Sequence, residues 1–373
     1  MKKRIMYIAQ SPCGVEKYLQ MFFKYIDKKK YESILIAPLE YSKEVYVQMV
    51  DNFEQVNMVR NIKFKEDLNA IVKIRKLIKK YNPDIIYLHS SKAGALGRIA
   101  NIGLKKKVIY NPHGWSFNMK VSKLKKRIYI IIEKILAPFC DKIIAISEAE
   151  KESALSKKIC SKDKICVIFN GIDVEEYDKK KQFYVHNKEN LNIPKEKFII
   201  GMVGRITKQK ASDTFIKVAY EVKKKINNAY FIIVGDGEDR KELIKLINKL
   251  KLTNDVLITG WIEDPYKYIE TFDIAMLLSR WEGFGLAIAE YMIAEKPIIA
   301  TNVDAIPNLI DNQENGILVD IDAIDETVDN IINLYEDKVL KDKLVKNAKY
   351  RVRKQFDVKR VIQEHEKLIE EII

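Results

Sequence analysis

Residues 279–301, SRWEGFGLAIAEYMIAEKPIIAT, read as a loop, a helix and a buried strand in direct succession. Gly283 and Gly285, on either side of Phe284, let the backbone turn tightly and come close to a ligand. From Leu286 the residues are small and apolar, as for a buried helix, and PIIAT has the continuous apolar character of a strand covered on both faces. The start of a helix offers unpaired N–H groups to an anion such as a phosphate. Glu282 stands before that start and Glu290 follows about a turn later. Carboxylates on both sides of an anion site can accept hydrogen bonds from sugar hydroxyls. A ligand with hydroxyls at both ends of a pyrophosphate fits, and a nucleotide sugar is one.

The same alternation runs outward in both directions. Upstream lie FIIGMVGRI from residue 198, AYFIIVGDGEDR (229–240), DVLITGW (255–261) and DIAMLL (273–278). Further back come KRIMYIA (3–9), SILIAPL (33–39), DIIYLHS (84–90), KVIYNPHGWSFN (107–118), DKIIAIS (141–147) and KICVIFNGID (164–173). Helical patterns separate them: Val15, Leu19, Phe22, Phe23 and Ile26 at helical spacing, a basic-faced helix over 67–81, and SEAEKESAL with Ser147 as its N-cap. Strand and helix in alternation imply an α/β fold with parallel sheets, whose ligands sit at the carboxyl ends of the strands. Residues 174–196 are polar and lysine-rich without a period, and read as a linker. The expected organisation is a Rossmann-like domain over 1–175, a second over 196–354 and a final helix over 355–373. No G-x-G-x-x-G is present, which argues against a nicotinamide dinucleotide site.

A chain of 373 residues suits two domains. Its basic start, MKKRIMYIAQSP, lacks the long apolar middle of a signal peptide, and no apolar run is long enough to span a bilayer. Four cysteines without CxxC or metal spacing suggest reduced thiols in the cytoplasm. The net charge of +14 is uneven: residues 1–180 hold 36 Lys+Arg against 20 Asp+Glu, the remainder 30 against 32. Within 71–134 there are 16 basic and 2 acidic residues. Such a face attracts an anionic partner, either a membrane surface or an anionic glycan. KVSKLKKRIYIIIEKI (120–135) is either a surface helix leaning on lipid headgroups or a core helix with a charged start. Nucleic acid is disfavoured, because no aromatics interleave with the basic clusters.

Several motifs carry chemistry. Glu282 and Glu290 have seven residues between them; Gly204-Arg205 is followed by Lys210; VGDG occupies 234–237 and TGWIEDP 259–265; His113 lies between Pro112 and Gly114 just past a strand. Together these resemble glycosyltransferase family 4, whose members have the GT-B fold and retain anomeric configuration, and EGFGLAIAE is similar to that family's E-x7-E element. The resemblance implies two Rossmann-like domains facing across a cleft, donor in the second and acceptor in the first, with the last helix crossing back to the first. It implies transfer of a hexose from a nucleotide sugar, a UDP-sugar ahead of a GDP-sugar, to a hydroxyl of a glycan or polyprenyl-diphosphate-linked acceptor in capsule or other cell-surface polysaccharide synthesis. The protein would then sit peripherally on the inner face of the cell membrane.

Residue by residue, the resemblance gives His113 and Glu282 to the reacting sugar. It gives Gly283 and Phe284 to the donor, Gly14, Arg205, Lys210 and the N–H groups near Gly285 and Leu286 to its phosphates, the main chain around Ile262 to the base, and Glu290 to the ribose. Ser90 and Lys92, in the 89–98 loop, are acceptor candidates. No cofactor and no metal are expected: there is no D-x-D at a first-domain strand end and no His/Cys cluster. Departures from the family pattern are Cys13 for a glycine in the opening turn, Ala211 for a glycine after Lys210, Glu295 in AEKP, and Asp304 and Ala305 in VDAIP. A sugar-nucleotide epimerase or hydrolase of the same fold is the rival enzyme reading, and a basic nucleic-acid-binding protein the rival outside enzymes.

Overall fold

The computed structural model describes residues 2–10, 14–59, 61–119, 121–184, 188, 191 and 193–373. The chain forms two compact units, one of residues 1–171 with 358–373, the other of residues 172–357.

The first unit is built on seven parallel strands: β1 (Lys3–Ala9), β2 (Tyr31–Ala37), β3 (Asn52–Gln55), β4 (Ile85–His89), β5 (Lys107–Asn111), β6 (Lys142–Ala145) and β7 (Ile165–Val167), in the order β3-β2-β1-β4-β5-β6-β7. Side chains alternate across a strand, so β1 feeds two cores. Ile5, Tyr7 and Ala9 pack with Leu19, Phe22 and Phe23 of the Gly14–Tyr25 helix and with Val361, Ile362 and Ile369 of the Val358–Ile372 helix. Met6 and Ile8 pack on the other face with Ile74 and Ile78 of the Phe64–Tyr81 helix and Leu96 of the Ser91–Asn101 helix. Ser147 caps the Glu148–Ser156 helix, accepting from the Glu150 N–H at 3.1 Å.

The second unit has six parallel strands: β8 (Phe198–Val203), β9 (Ala229–Val234), β10 (Val256–Ile258), β11 (Ile274–Leu277), β12 (Ile298–Thr301) and β13 (Ile317–Val319), in the order β10-β9-β8-β11-β12-β13. Phe215 and Val222 of the Ser212–Lys225 helix and Ile331 of the Ile324–Glu336 helix fill its core. In each sheet the first strand has its successor on one side and the fourth strand on the other, so the winding reverses between β1 and β4 and between β8 and β11. A reversal opens a crevice at the carboxyl ends of the strands, where ligands of such sheets bind.

The segment from 174 is not a linker throughout. It begins with the Val174–Lys181 helix, capped by Asp173, which accepts from the Glu176 N–H at 2.8 Å. Val174 and Tyr177 are buried, and the Tyr177 hydroxyl donates to Glu270. Asp178 takes both arms of the Arg353 guanidinium at 2.9 and 2.6 Å. Only two apolar residues face inward, too few to show a period among the lysines. The second unit therefore runs over 172–357 rather than 196–354, and the final helix starts at Val358.

Candidate active site

At the β8/β11 crevice the two loops singled out in the sequence come together. The Lys210 ammonium pairs with the Glu282 carboxylate, both largely buried, and the Ser279 hydroxyl reaches the same carboxylate at 3.3 Å. Three residues on, Gly285 takes φ +92° and ψ +49°, a left-handed conformation that a side chain would strain, and opens the Leu286–Ile293 helix. The fold thus brings a cation from the 208–210 turn against a carboxylate that stands three residues before the N-cap of a helix. Arg205 is exposed beside them, with no ion pair among the described residues. Phe284 is buried against Phe356 at 5.8 Å between ring centres, so its side chain holds the loop down instead of facing a ligand. Gly283 and Leu286 are partly exposed.

Glu290 is buried one turn into that helix. Burial, and then the charge of Glu290, keep the Tyr266 hydroxyl protonated far above the usual phenol range. The next residue, Tyr291, accepts the Val203 N–H at 2.7 Å and so ties the helix to the end of β8. The loop after β9 lies against the loop after β8: a Cβ on Gly235 would come within 2.1 Å of the Gly204 carbonyl oxygen, which excludes any side chain. Gly235 also bridges to Gly260, which brings the partly exposed Ile262 into the same row of loops.

Sequence reasoning missed what joins these loops. Arg280 donates to the Lys208 carbonyl at 3.0 Å, to Asp213 at 2.9 Å and to Asp322 at 2.8 Å, and its own N–H goes to the Gln209 carbonyl at 2.8 Å. The guanidinium holds the Asp322 carboxyl below the usual range. The 208–210 turn is thereby fastened to the residue two before Glu282. Asp304, noted only as a departure, accepts the Glu282 N–H at 2.9 Å.

In the first unit the β1/β4 crevice is lined by imidazoles. His89 ends β4 fully buried; its Nδ1 is 2.9 Å from Nε2 of His113, which follows β5. His113 is itself left-handed at φ +52°, with its N–H given to the Asn111 side chain at 2.9 Å. His365, from the Val358–Ile372 helix, bonds the Tyr18 and Tyr87 hydroxyls, each at 2.8 Å. Although His113 is open at one edge, desolvation pushes its pKa down to about 3; burial and then the charge of His113 do the same to His365. Burial likewise lowers His89 well below the ordinary value. All three rings are neutral at physiological pH. Of these only His113 had a motif around it; for His89 the available signal was its place at the end of a buried strand, IIYLH, one residue before the turn.

Ser90 sits at φ +81° and ψ +155°, rare for a residue with a side chain, and caps the Ser91–Asn101 helix. Lys92 is tied down: its ammonium binds Asp67 at 2.5 Å and the Asn61 carbonyl at 3.0 Å, which makes it a strut to the Phe64–Tyr81 helix and not a free cation for an acceptor. At Gly14 a Cβ would meet nothing within 4 Å, so close packing does not demand the glycine. Cys13 lies outside the described residues. Among the described residues no three His, Cys, Asp or Glu side chains gather as a metal-holding cluster, and no helix is long and apolar enough to cross a membrane.

Comparison with known proteins agrees with this layout. The family model Glycosyltransferase Family 4 matches residues 12–176, and Glycosyl transferases group 1 matches residues 185–351. The chain is 29% identical over 354 residues to the UDP-Gal:alpha-D-GlcNAc-diphosphoundecaprenol alpha-1,3-galactosyltransferase of Escherichia coli, covering 93% of this chain and 91% of that protein. It is 35% identical over 312 residues to an uncharacterized 41.2 kDa protein in the cps region of Klebsiella pneumoniae, covering 81% of this chain and 82% of the relative. Among solved structures, Anabaena Alr3699/HepE in complex with UDP and glucose superposes with a TM-score of 0.82 at 22% identity, over 99% of this chain and 100% of that one, a likeness of fold.

Proposed function

The chain belongs to the family 4 and group 1 glycosyltransferases, and from that premise we propose that it moves a hexose, with retention of configuration, from a UDP-sugar to a hydroxyl of a polyprenyl-diphosphate-linked glycan in cell-surface polysaccharide synthesis. The observation that carries this reading is the meeting of Lys210 with Glu282 immediately before Gly285. The donor diphosphate lies at the start of the Leu286–Ile293 helix, with Arg205 and Lys210 as counter-charges. Glu282 accepts from hydroxyls of the sugar ring, and Glu290 from the ribose. As the bond from anomeric carbon to phosphate oxygen breaks, negative charge grows on the leaving diphosphate, and a preorganised cation and helix dipole stabilise it most there. The leaving phosphate oxygen takes the acceptor's proton on the same face, so no enzymatic nucleophile is needed. His113 gives a hydrogen bond to a sugar hydroxyl. These protein groups meet the charge by themselves, and no metal is assigned.

UDP and a lipid-linked acceptor are favoured by the Escherichia coli relative, whose name specifies UDP-Gal and a diphosphoundecaprenol acceptor, and UDP also by the ligand of HepE. Screening nucleotide sugars for acceptor-dependent nucleotide release tests the donor, with Glu282→Ala and His113→Ala as controls, and proton NMR of the product reports the anomer. An inverted product, or full turnover in Glu282→Ala, would overturn the reading.

The Lys123–Leu136 helix supports a place of action at a membrane surface. Leu124, Ile128, Ile131 and Ile135 fall on one stripe and are exposed at 69%, 40%, 53% and 62%. Lys123, Lys125, Lys126 and Arg127 stand around its first turns. An apolar stripe rimmed by lysines matches an anionic lipid surface, each basic residue there contributing about 1 kcal/mol. We assign this face to the inner leaflet. Liposome flotation should show binding to anionic vesicles that Ile128→Glu with Ile131→Glu abolishes; equal recovery with neutral lipid would refute it.

A further inference from the structure

The histidine pair of the first unit has an order of its own. His89 is clamped: its ring stacks on Tyr87 at 4.3 Å between centroids and lies 6.1 Å from Tyr7, and it is fully buried. Tyr87 is itself fixed by His365, as is Tyr18, whose ring meets His113 edge-on at 4.6 Å. Only one polar contact of the His89 ring exists among the described residues, the 2.9 Å bond to His113; its Nε2 is buried without a partner.

A neutral imidazole has one N–H and one lone pair, so this bond can be made in two ways. If His113 donated from Nε2, the His89 proton would sit on its own Nε2, a buried N–H with no acceptor, and His113 would turn a bare lone pair outward. If His89 donates from Nδ1, its unpartnered Nε2 is a lone pair, and His113 must hold its proton on Nδ1. Orphaned buried N–H groups are rarer than under-satisfied acceptors, so the second arrangement prevails. The Nδ1 of His113 has no hydrogen bond among the described residues, and His113 is the one member of the trio open to solvent. We propose that His89 is a positioning residue that fixes His113 as its Nδ1–H tautomer, so that a neutral imidazole donates a hydrogen bond to a ligand hydroxyl. This rests on the glycosyltransferase reading given above for the hydroxyl, but not for the tautomer. Both rings stay uncharged, so the donor persists across the working pH range.

The test uses the full chain with ring-15N histidine and long-range 1H–15N correlation, His113 being assigned by its loss in His113→Asn. Wild type should show Nδ1 protonated. His89→Phe keeps the stacked ring but removes the bond, and should convert His113 to a mixture of tautomers, lower kcat by roughly tenfold and leave UDP affinity unchanged. His89→Asn, whose amide reaches the place of Nδ1, should restore most of both. An Nε2–H tautomer in the wild type overturns the proposal, and so does an unaltered His113 tautomer in His89→Phe. Should His89→Phe fail to fold, the wild-type tautomer and the His89→Asn rate decide between the same outcomes. Normal turnover in His113→Ala would remove His113 from the reaction, while the tautomer seen by NMR would still test the role of His89.

Discussion

Lys210 and Glu282 lie 72 positions apart in the chain, and with side chains 16% and 11% exposed they form a pair that solvent screens weakly. Removing either partner leaves the other charge partly buried and misplaced, so the two should act as a unit. Lys210→Ala and Glu282→Ala are each expected to lower turnover by roughly tenfold or more, and the double variant to be little worse than the poorer single one. Nucleotide-release kinetics on the four proteins measures this, and losses that simply multiply would show independent roles. The pair was legible as two motifs; that they touch was not. Three of the departures from family pattern sit where the backbone is left-handed. Ala211, Glu295 and Asp304 take φ of +51°, +56° and +43°, the left-handed region where glycine costs least. Glu295 compensates by pairing with Lys181 and, at 3.1 Å, with Lys349, and Asp304 by holding the Glu282 N–H. Arg280 escaped notice because its acidic partners lie 67 and 42 residues away, and no short motif registers a clamp of that span.

At the scale of elements, eleven of the thirteen strands among the described residues were read nearly as they stand, since buried parallel strands announce themselves as short apolar runs bounded by turn residues. β3 and β13, four and three residues long, were missed because NFEQ carries little apolar character and ILV is too short a run to register. The Lys123–Leu136 helix was ambiguous because both of its faces are apolar; in the fold Glu133 and Leu136 are buried while Leu124, Ile128, Ile131 and Ile135 stay exposed. Its inner face carries Glu133, which pairs with Arg98 at 2.8 Å and accepts from the Tyr110 hydroxyl at 2.8 Å, while Arg98, fully buried, stacks on the Tyr110 ring at 4.2 Å. An ion pair enclosed to this degree penalises the loss of one member far more than the loss of both. Arg98→Met should therefore destabilise the first unit by about 3–5 kcal/mol, and Arg98→Met with Glu133→Leu by clearly less, as read from urea unfolding. A double variant as unstable as the single would mean that packing, not charge, holds the helix. Because the outer stripe is untouched, surviving folded protein should still float with anionic vesicles.

For the whole molecule, the acid response and the chain's path are linked through one helix. The unfolded chain takes up protons on histidine near the ordinary pKa of about 6.5, whereas burial holds His365 down at about 3 and His89 also well below normal. Below about pH 6.5 the unfolded state thus binds more protons than the folded one, so stability falls as pH drops toward 3, by up to about 1.4 kcal/mol per pH unit for each such ring. The loss should be confined to the first unit, because His89, His113 and His365 all belong to it. Removing residues 358–373 tests the same dependence more severely. That deletion takes away Val361, Ile362 and Ile369 from the core that Ile5 and Tyr7 of β1 share, and with His365 the bonds to Tyr18 and Tyr87. The second unit, continuous over 172–357 with a core of its own, loses nothing of that core. Hydrogen exchange on the shortened protein should show protection lost in β1 and β4 while β8 and β11 keep theirs, and UDP should still be bound. Loss of protection in β8 and β11 to the same degree would mean that the final helix supports both units together, and would set aside the assignment of its stabilising contacts to the first alone.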